Sequence, residues 1–304
     1  MTEKTQVPSV TDDNAPEAGV VELAPTSGPL PPGLYIVSTP IGNLGDITLR
    51  ALATLKGVDT IACEDTRVTS VLLRRYGIGT DLTPYHDHNA DRVRPRLLAE
   101  MQAGARVALV SDAGTPLLSD PGYKLVQACV ASGLQVVPVP GASAMLAALV
   151  IAGLPTDRVM FAGFLPPKSG ARCRSLEEVR DVPATLIFYE TGPRIAESLV
   201  DMQTVLGDRQ AAVCRELTKR FEEARRGSLS ELAAHYAAAG APRGEIAVVV
   251  GGPLPTEVSE ADVDTALRRA LTTLSVRDAA AQVAADLDQP KRVVYARALA
   301  LGKE

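Results

Sequence analysis

Tryptophan is absent from this chain of 304 residues, and there are only four phenylalanines and seven tyrosines, so its cores must be built from Leu, Val, Ile and Ala. Cysteine is also scarce. Cys63, Cys129, Cys173 and Cys214 are widely scattered, without metal-ligand spacing or the density of a disulfide framework. The first two fall in a predicted strand and a predicted helix, and the set reads as the free thiols of a cytoplasmic protein. No apolar run approaches a membrane span, and the N-terminus lacks the basic-then-apolar order of a signal peptide. Familiar chemical signatures are missing too: there is no Walker A sequence, no Gly-x-Ser-x-Gly elbow and no carboxylate pair that marks a hydrolase. The first glycine loop holds Gly42 and Gly45 without Gly-x-Gly spacing, so Glu64, about 20 residues further on, completes no dinucleotide fingerprint.

Charge is nearly balanced, and the imbalance is local. Residues 1–32 carry Glu3, Asp12, Asp13, Glu17 and Glu22 against Lys4 alone, which accounts for most of the formal net charge of −5. Rich in proline and without apolar periodicity, this stretch reads as a disordered acidic tail. The remaining body is close to neutral, so global charge neither announces nor excludes a nucleic-acid partner.

What the chain does have is a series of special strand-to-loop junctions. Val107–Val110 reads as a buried strand running into Ser111-Asp-Ala-Gly-Thr-Pro-Leu-Leu-Ser-Asp-Pro-Gly122, before an amphipathic helix from Tyr123. Strand 34–38 leads into Pro40-Ile-Gly-Asn-Leu-Gly-Asp46, and strand 134–139 into Pro140-Gly-Ala-Ser143 and an apolar helix. Glycines and prolines gathered at the carboxyl ends of parallel strands build the ligand crevice of open α/β sheets. A single such junction reads equally as an element stop; three together point to a composite small-molecule grip held mainly by backbone groups.

The alternation predicts strands at 34–38, 59–63, 82–85, 106–111 and 134–139 with helices between them, a mostly parallel sheet covered on both faces within domain 33–153. A second α/β unit, 154–255, has strands predicted near 159–162, 184–189, 210–214 and 246–250, and helices over 193–206 and 229–239. Residues 256–304 read as a helical module in which Ser275 caps a helix and a second helix bears Lys291, Arg292 and Arg297, a pair resembling a helix-turn-helix. It fits an RNA-docking module or a simple packing unit.

Four polar constellations follow strands and can converge on one cleft: Glu64-Asp-Thr-Arg67, Tyr85-His-Asp-His-Asn89, Tyr189-Glu-Thr-Gly-Pro-Arg194 and Arg215-Glu-Leu-Thr-Lys219. His86 and His88 can share one side of an extended strand, but no third ligand accompanies them, so no metal site is expected. Basic groups cluster at Arg74, Arg75, Arg92, Arg94 and Arg96, at Lys168, Arg172 and Arg174, and at Lys219, Arg220, Arg225 and Arg226; each is a solvated face or an RNA contact.

Tyr35-Ile-Val-Ser-Thr-Pro-Ile-Gly-Asn-Leu-Gly-Asp-Ile-Thr48, Val110-Ser-Asp-Ala-Gly-Thr-Pro116, Val139-Pro-Gly141, Leu186-Ile-Phe-Tyr-Glu190 and Arg215-Glu-Leu-Thr-Lys219 together resemble the tetrapyrrole-methylase superfamily, and more narrowly its ribosomal branch. The resemblance runs from about Leu34 to Leu301. It implies a class III methyltransferase: two α/β domains with S-adenosylmethionine in the cleft between them, a small C-terminal helical module, and a homodimer. The reaction it implies is 2′-O-methylation of a P-site cytidine in the 16S rRNA of the small subunit. Carried over by motif, cofactor contacts fall to Pro40, Asp112, Ala113, Gly114, Leu117, Ser143, Ala144, Tyr189, Glu190 and Leu217.

A ribose hydroxyl needs its proton accepted as the new bond forms. The candidates for that work are Asp65, His86, Glu216 and Lys219, with His88 and Glu190 also open. Arg67, Arg194 and Arg215, with His88, are expected on the RNA. Where porphyrin-type relatives carry Gly-Gly-Asp-Pro, this chain has Asp112-Ala-Gly-Thr115, which argues against a tetrapyrrole substrate. A small-molecule methyltransferase and a non-catalytic RNA-binding assembly protein on the same fold stand as alternatives.

Overall fold

Two five-stranded sheets carry the molecule, and the linker helix between them explains why they form a cleft. The computed structural model describes residues 30–118, 122–254, 260–287 and 289–301. The tail predicted over 1–32 therefore lies almost wholly outside the described residues, as does part of the Asp120-Pro-Gly122 motif. The first domain alternates β1 (Gly33–Val37), α1 (Leu49–Gly57), β2 (Thr60–Cys63), α2 (Thr66–Arg75), β3 (Asp81–Pro84), α3 (Ala90–Gln102), β4 (Arg106–Val110), α4 (Tyr123–Ala131) and β5 (Val136–Val139). Its strands pair in the order β3-β2-β4-β1-β5, every neighbour parallel.

Parallel strands joined by helices must bury both faces, and these do. Tyr35, Ile61, Cys63 and Val110 pack with Leu52 and Leu55 of α1 and Leu73 of α2. On the other face Leu34, Ala62, Val107 and Leu109 meet Leu97 and Met101 of α3 and Leu125 and Cys129 of α4.

α5 (Ala144–Ala152) leaves β5 and crosses to the second domain. Ala148, Leu149 and Ala152 pack against Ile187, Ala212, Cys214, Ala247 and Val249 of the second sheet, together with Ile41 from the loop after β1. This wedge of apolar residues ties the two domains into one body and accounts for one face of the helix; Leu146 and Val150 on its other face are exposed.

The second domain contains β6 (Val159–Phe164), α6 (Ser169–Glu177), β7 (Thr185–Thr191), α7 (Ile195–Leu206), β8 (Gln210–Arg215), β9 (Glu223–Ser228), α8 (Leu229–Ala239) and β10 (Glu245–Val250). Its order is β6-β7-β10-β8-β9; only β6 and β7 pair in parallel, and β10 runs antiparallel to both its neighbours. α7 and α8 cover its far face with Ile195, Leu199, Met202, Leu232 and Tyr236.

Two elements escape the sequence pattern. β9, Glu223-Ala-Arg-Arg-Gly-Ser228, is a polar edge strand without alternation, and α6 is short of apolar residues. Arg172 on α6 also corrects an expectation. It is 1% exposed and its Nε donates to Asp201 at 2.6 Å, so it belongs to a buried ion pair and not to a basic surface.

A separate unit begins at Pro253. It holds α9 (Glu260–Ala270), α10 (Val276–Asp286) and α11 (Lys291–Leu301) around Val263, Leu267, Val283, Val294 and Ala298. Ser275 caps α10 by accepting from the Asp278 amide, and Arg297 of α11 pairs with Asp264 of α9. No described helix is long and apolar enough to cross a membrane.

Candidate active site

Three loops at the carboxyl ends of β1, β4 and β5 are sewn together by short polar side chains. Thr39 and Gly114 exchange backbone hydrogen bonds at 2.9 and 3.1 Å. The Thr39 hydroxyl donates to the Ser111 carbonyl, the Ser38 and Thr115 hydroxyls meet at 2.9 Å, and Thr115 donates on to the Ala142 carbonyl. Ser38, Thr39 and Ser111 are buried, so each hydroxyl needs such a partner. Gly114 is left-handed at φ +84°, and a Cβ there would press on Ile41. The junctions singled out as a grip are one hydrogen-bonded framework.

Facing it are the ends of β7 and β8 and the start of β10. Between the two sides lies a cavity of about 380 Å3, ample for a nucleoside-sized molecule. Its walls are Ile41, Leu118, Phe164, Leu217 and Ile246 on the apolar side, the backbone of Asp112–Thr115, the start of α5 at Ser143 and Ala144, and a charged corner. In that corner Lys219 Nζ donates to Glu216 at 2.8 Å and to Glu245 at 2.9 Å. Burial opposes the ammonium but the two carboxylates outweigh it, and the Lys219 pKa is raised. Glu216 is lowered, chiefly by its hydrogen bond from Lys219.

Of the residues expected at the cofactor, Asp112, Ala113, Gly114, Ser143, Ala144, Tyr189, Glu190 and Leu217 line this cavity. Pro40 and Leu117 stand next to lining residues instead; Leu117, left-handed at φ +74°, turns its side chain into the first domain's core. The Glu190 carboxylate is fully buried, accepting from the Thr191 amide, Arg194 and the Ser198 hydroxyl, so it presents no charge to the cavity.

Glu216 and Lys219 line the wall, whereas Asp65 and His86 are not part of it. Asp65 caps α2 through the Arg67 amide at 2.8 Å and grips the Arg67 guanidinium, which holds its carboxyl down at about 2. Its own amide donates to Asp112, which ties this corner to the cavity rim. Burial and the neighbouring Asp112 and Asp87 raise the carboxyl of Glu64 beside it. The ring of His86 lies 6.0 Å from that of His88, edge to face.

The expected phosphate ligands are largely engaged within the protein. Arg194 donates to the Leu165 and Pro166 carbonyls besides Glu190, and Arg215 is held by Glu223 and the Arg243 carbonyl. Both are tied into the architecture by these hydrogen bonds. Arg67 is exposed but already paired with Asp65.

Sequence reasoning missed Phe164, Gly244, Glu245, Ile246 and Ala247. The last four sit at the start of β10, which runs antiparallel to β7 and so brings its first residues to the crevice beside the last residues of β7; nothing in the sequence marks that direction. Phe164 ends β6, an edge strand whose last residues the pattern cut short.

This arrangement, loops from one sheet clasping a cavity against the edge of a second, has relatives. Residues 33–233 match the Tetrapyrrole (Corrin/Porphyrin) Methylases, and residues 257–302 match the RsmI C-terminal HTH domain. A protein of Mesorhizobium japonicum named ribosomal RNA small subunit methyltransferase I is 54% identical, over 90% of this chain and 93% of its own. One of the same name from Halalkalibacterium halodurans is 45% identical over 86% and 93%. Among solved structures, uroporphyrin-III C-methyltransferase of Thermus thermophilus complexed with S-adenyl homocysteine superposes with a TM-score of 0.50 at 20% identity, covering 71% of this chain and 96% of that one. The fold and site thus define a class III methyltransferase, and the chain belongs to the tetrapyrrole methylase family and, within it, to the ribosomal RNA small subunit methyltransferase I family. It is an S-adenosylmethionine-dependent methyltransferase. The cavity suits that cofactor: apolar walls for the nucleoside, backbone groups to orient it, and no phosphate cradle.

Proposed function

We propose that this chain methylates the 2′-hydroxyl of a cytidine in the decoding region of 16S rRNA, acting in the cytoplasm on the assembled small subunit. The observation that carries the reading is close likeness, over nearly the whole chain, to proteins named for that subunit's RNA. The Asp112-Ala-Gly-Thr115 loop supports it against a porphyrin substrate. S-adenosylmethionine held by the cavity walls would supply an electrophilic methyl group to the ribose oxygen; the sulfur would keep the C–S electron pair, leaving S-adenosylhomocysteine, and the hydroxyl proton would pass to water or a basic group on the acceptor side. Positioning supplies much of the acceleration in such a transfer.

In this reading Lys219 enters as a fixed cation and not as the proton acceptor first expected of it, because two carboxylates hold it as an ammonium. Glu216 and Glu245 set its place. Asp65 stays next to the cavity rim through its amide bonded to Asp112, and no such bond places His86 there. The active species is a homodimer, for which the exposed Leu146 and Val150 on α5 offer an apolar face.

Incubation with labelled S-adenosylmethionine, assembled small subunits and porphyrinogens tests the reading, with sedimentation run beside it. Label in subunit RNA, stable to alkaline cleavage at one cytidine, and a dimer are expected. Label only in the porphyrin fraction would overturn it.

A further inference from the structure

The loop joining β8 to β9 forms part of the cavity wall through Leu217 and Lys219, and two residues beyond Lys219 it carries Phe221. Two residues span at most about 7 Å of chain, so the Phe221 backbone lies close to the Lys219 corner of the cavity wall. Phe221 is 66% exposed, in a protein with only four phenylalanines.

The exposure is built in. Thr218, left-handed at φ +66°, donates its amide to the Glu222 carboxylate at 2.7 Å; the Glu222 amide returns to the Lys219 carbonyl; and the Thr218 hydroxyl accepts from the Asn43 amide across the cleft. A loop fastened at both ends holds its aromatic tip outward.

Over one face of the ring lies Arg220, its guanidinium 5.5 Å from the ring centre, which leaves the other face open. The other cations of this hairpin are occupied: Arg215 and Arg225 by Glu223, Lys219 by Glu216 and Glu245, and Arg226 by the Ile151 carbonyl. Arg220 has no carboxylate partner among the described residues. An exposed ring with an uncompensated guanidinium beside it is the pairing that binds unstacked nucleotides, the ring taking the base and the cation the phosphate.

We infer that Phe221 and Arg220 form a stacking platform for an unpaired base of the RNA next to the nucleotide being methylated. Phe221 packs on that base while Arg220 meets its backbone. The inference rests on the RNA reading above and adds to it the residues that hold the strand at the cavity mouth.

The test is methylation of assembled small subunits by full-length variants. Phe221→Ala and Phe221→Leu are expected to raise KM for the subunit roughly tenfold, which is about 1.4 kcal/mol and within the ~1–3 kcal/mol of one stacked base. Phe221→Tyr and Phe221→Trp should stay within about twofold of the parent, since a π face is what counts. Affinity for S-adenosylmethionine, read by calorimetry, should hold in all four. The Phe221→Trp protein has the chain's only tryptophan, and its emission should be quenched on titration with an unpaired oligocytidylate.

Leucine serving as well as tryptophan, or unquenched emission, overturns the platform. So does dissociation of the dimer in Phe221→Ala, which would give the ring to a second copy. If the parent protein puts no label on subunit RNA, the proposed activity itself fails. If it does and the alanine and leucine variants keep the parent KM, the activity stands and the platform alone falls.

Discussion

At Gly42 the stem of Lys219 lies where a side chain would begin: a Cβ there would stand 2.4 Å from Lys219 Cγ. This glycine is needed for space, and its φ of +159° is also one that L residues rarely adopt. Gly77 is the converse, left-handed at φ +61° with nothing near its missing Cβ. Gly77 isolates conformation, while Gly42 adds want of room to it. Gly42→Ala should displace Lys219 and weaken cofactor binding about tenfold by calorimetry, the ~1–3 kcal/mol of an overpacked site. Gly77→Ala should cost about 1 kcal/mol of stability in denaturant unfolding and leave that affinity alone. The corner that Gly42 makes room for is charged at all neutral pH values. Glu216, lowered when folded, contributes stability that is present above its unfolded pKa and lost as pH falls through the folded one. Lys219, raised when folded, contributes stability that is present below its unfolded pKa and lost as pH rises through the folded one. Between those limits the ammonium stays between its carboxylates, which on the proposed reading suits it to positioning and not to accepting protons.

The helices and strands show where sequence sufficed. Parallel elements announce themselves by buried runs and capped helices, and β1 to β5 with their helices lie within a few residues of the predicted ranges. The grip of Ser38, Thr39 and Thr115 could be located from its glycines and prolines, though not its hydrogen bonds. β9 was illegible because an exposed polar edge has no period; β10 was expected at 246–250 and found, but not that, running antiparallel, it brings its first residues to the crevice. Asp65 shows the same limit: its carboxylate reads as chemistry in the sequence but serves as the cap of α2 in the structure. Asp65→Asn keeps an acceptor for the Arg67 amide, as asparagine caps well, while Asp65→Ala does not. The alanine variant should therefore lower the melting temperature and the asparagine variant should leave it nearly unchanged, with turnover following stability. Turnover lost by 10²-fold or more in a fully stable Asp65→Asn protein would return the residue to proton transfer.

For the whole molecule, the two-domain plan was legible because each half repeats the strand-helix alternation around its own core, and the helical end was legible from its 3.6-residue period. The cleft could only be inferred until α5 was seen packing on the second sheet. Every described residue lining the cavity lies between Ile41 and Ala247, and the unit beginning at Pro253 has a core of its own. Binding the methyl donor and engaging the ribosome are then separable tasks. A chain ending at Gly252 should bind S-adenosylmethionine within about twofold of the full protein by calorimetry, because it loses no wall of the cavity. The same truncation should weaken methylation of assembled subunits, mainly through KM, because α11 presents Lys291, Arg292 and Tyr295 on its exposed surface and these are lost. That deficit should shrink as salt is lowered, since the remaining phosphate contacts strengthen with fewer competing ions. A tenfold loss of cofactor affinity in a folded truncated protein, about 1.4 kcal/mol, would instead make the C-terminal unit part of the donor site.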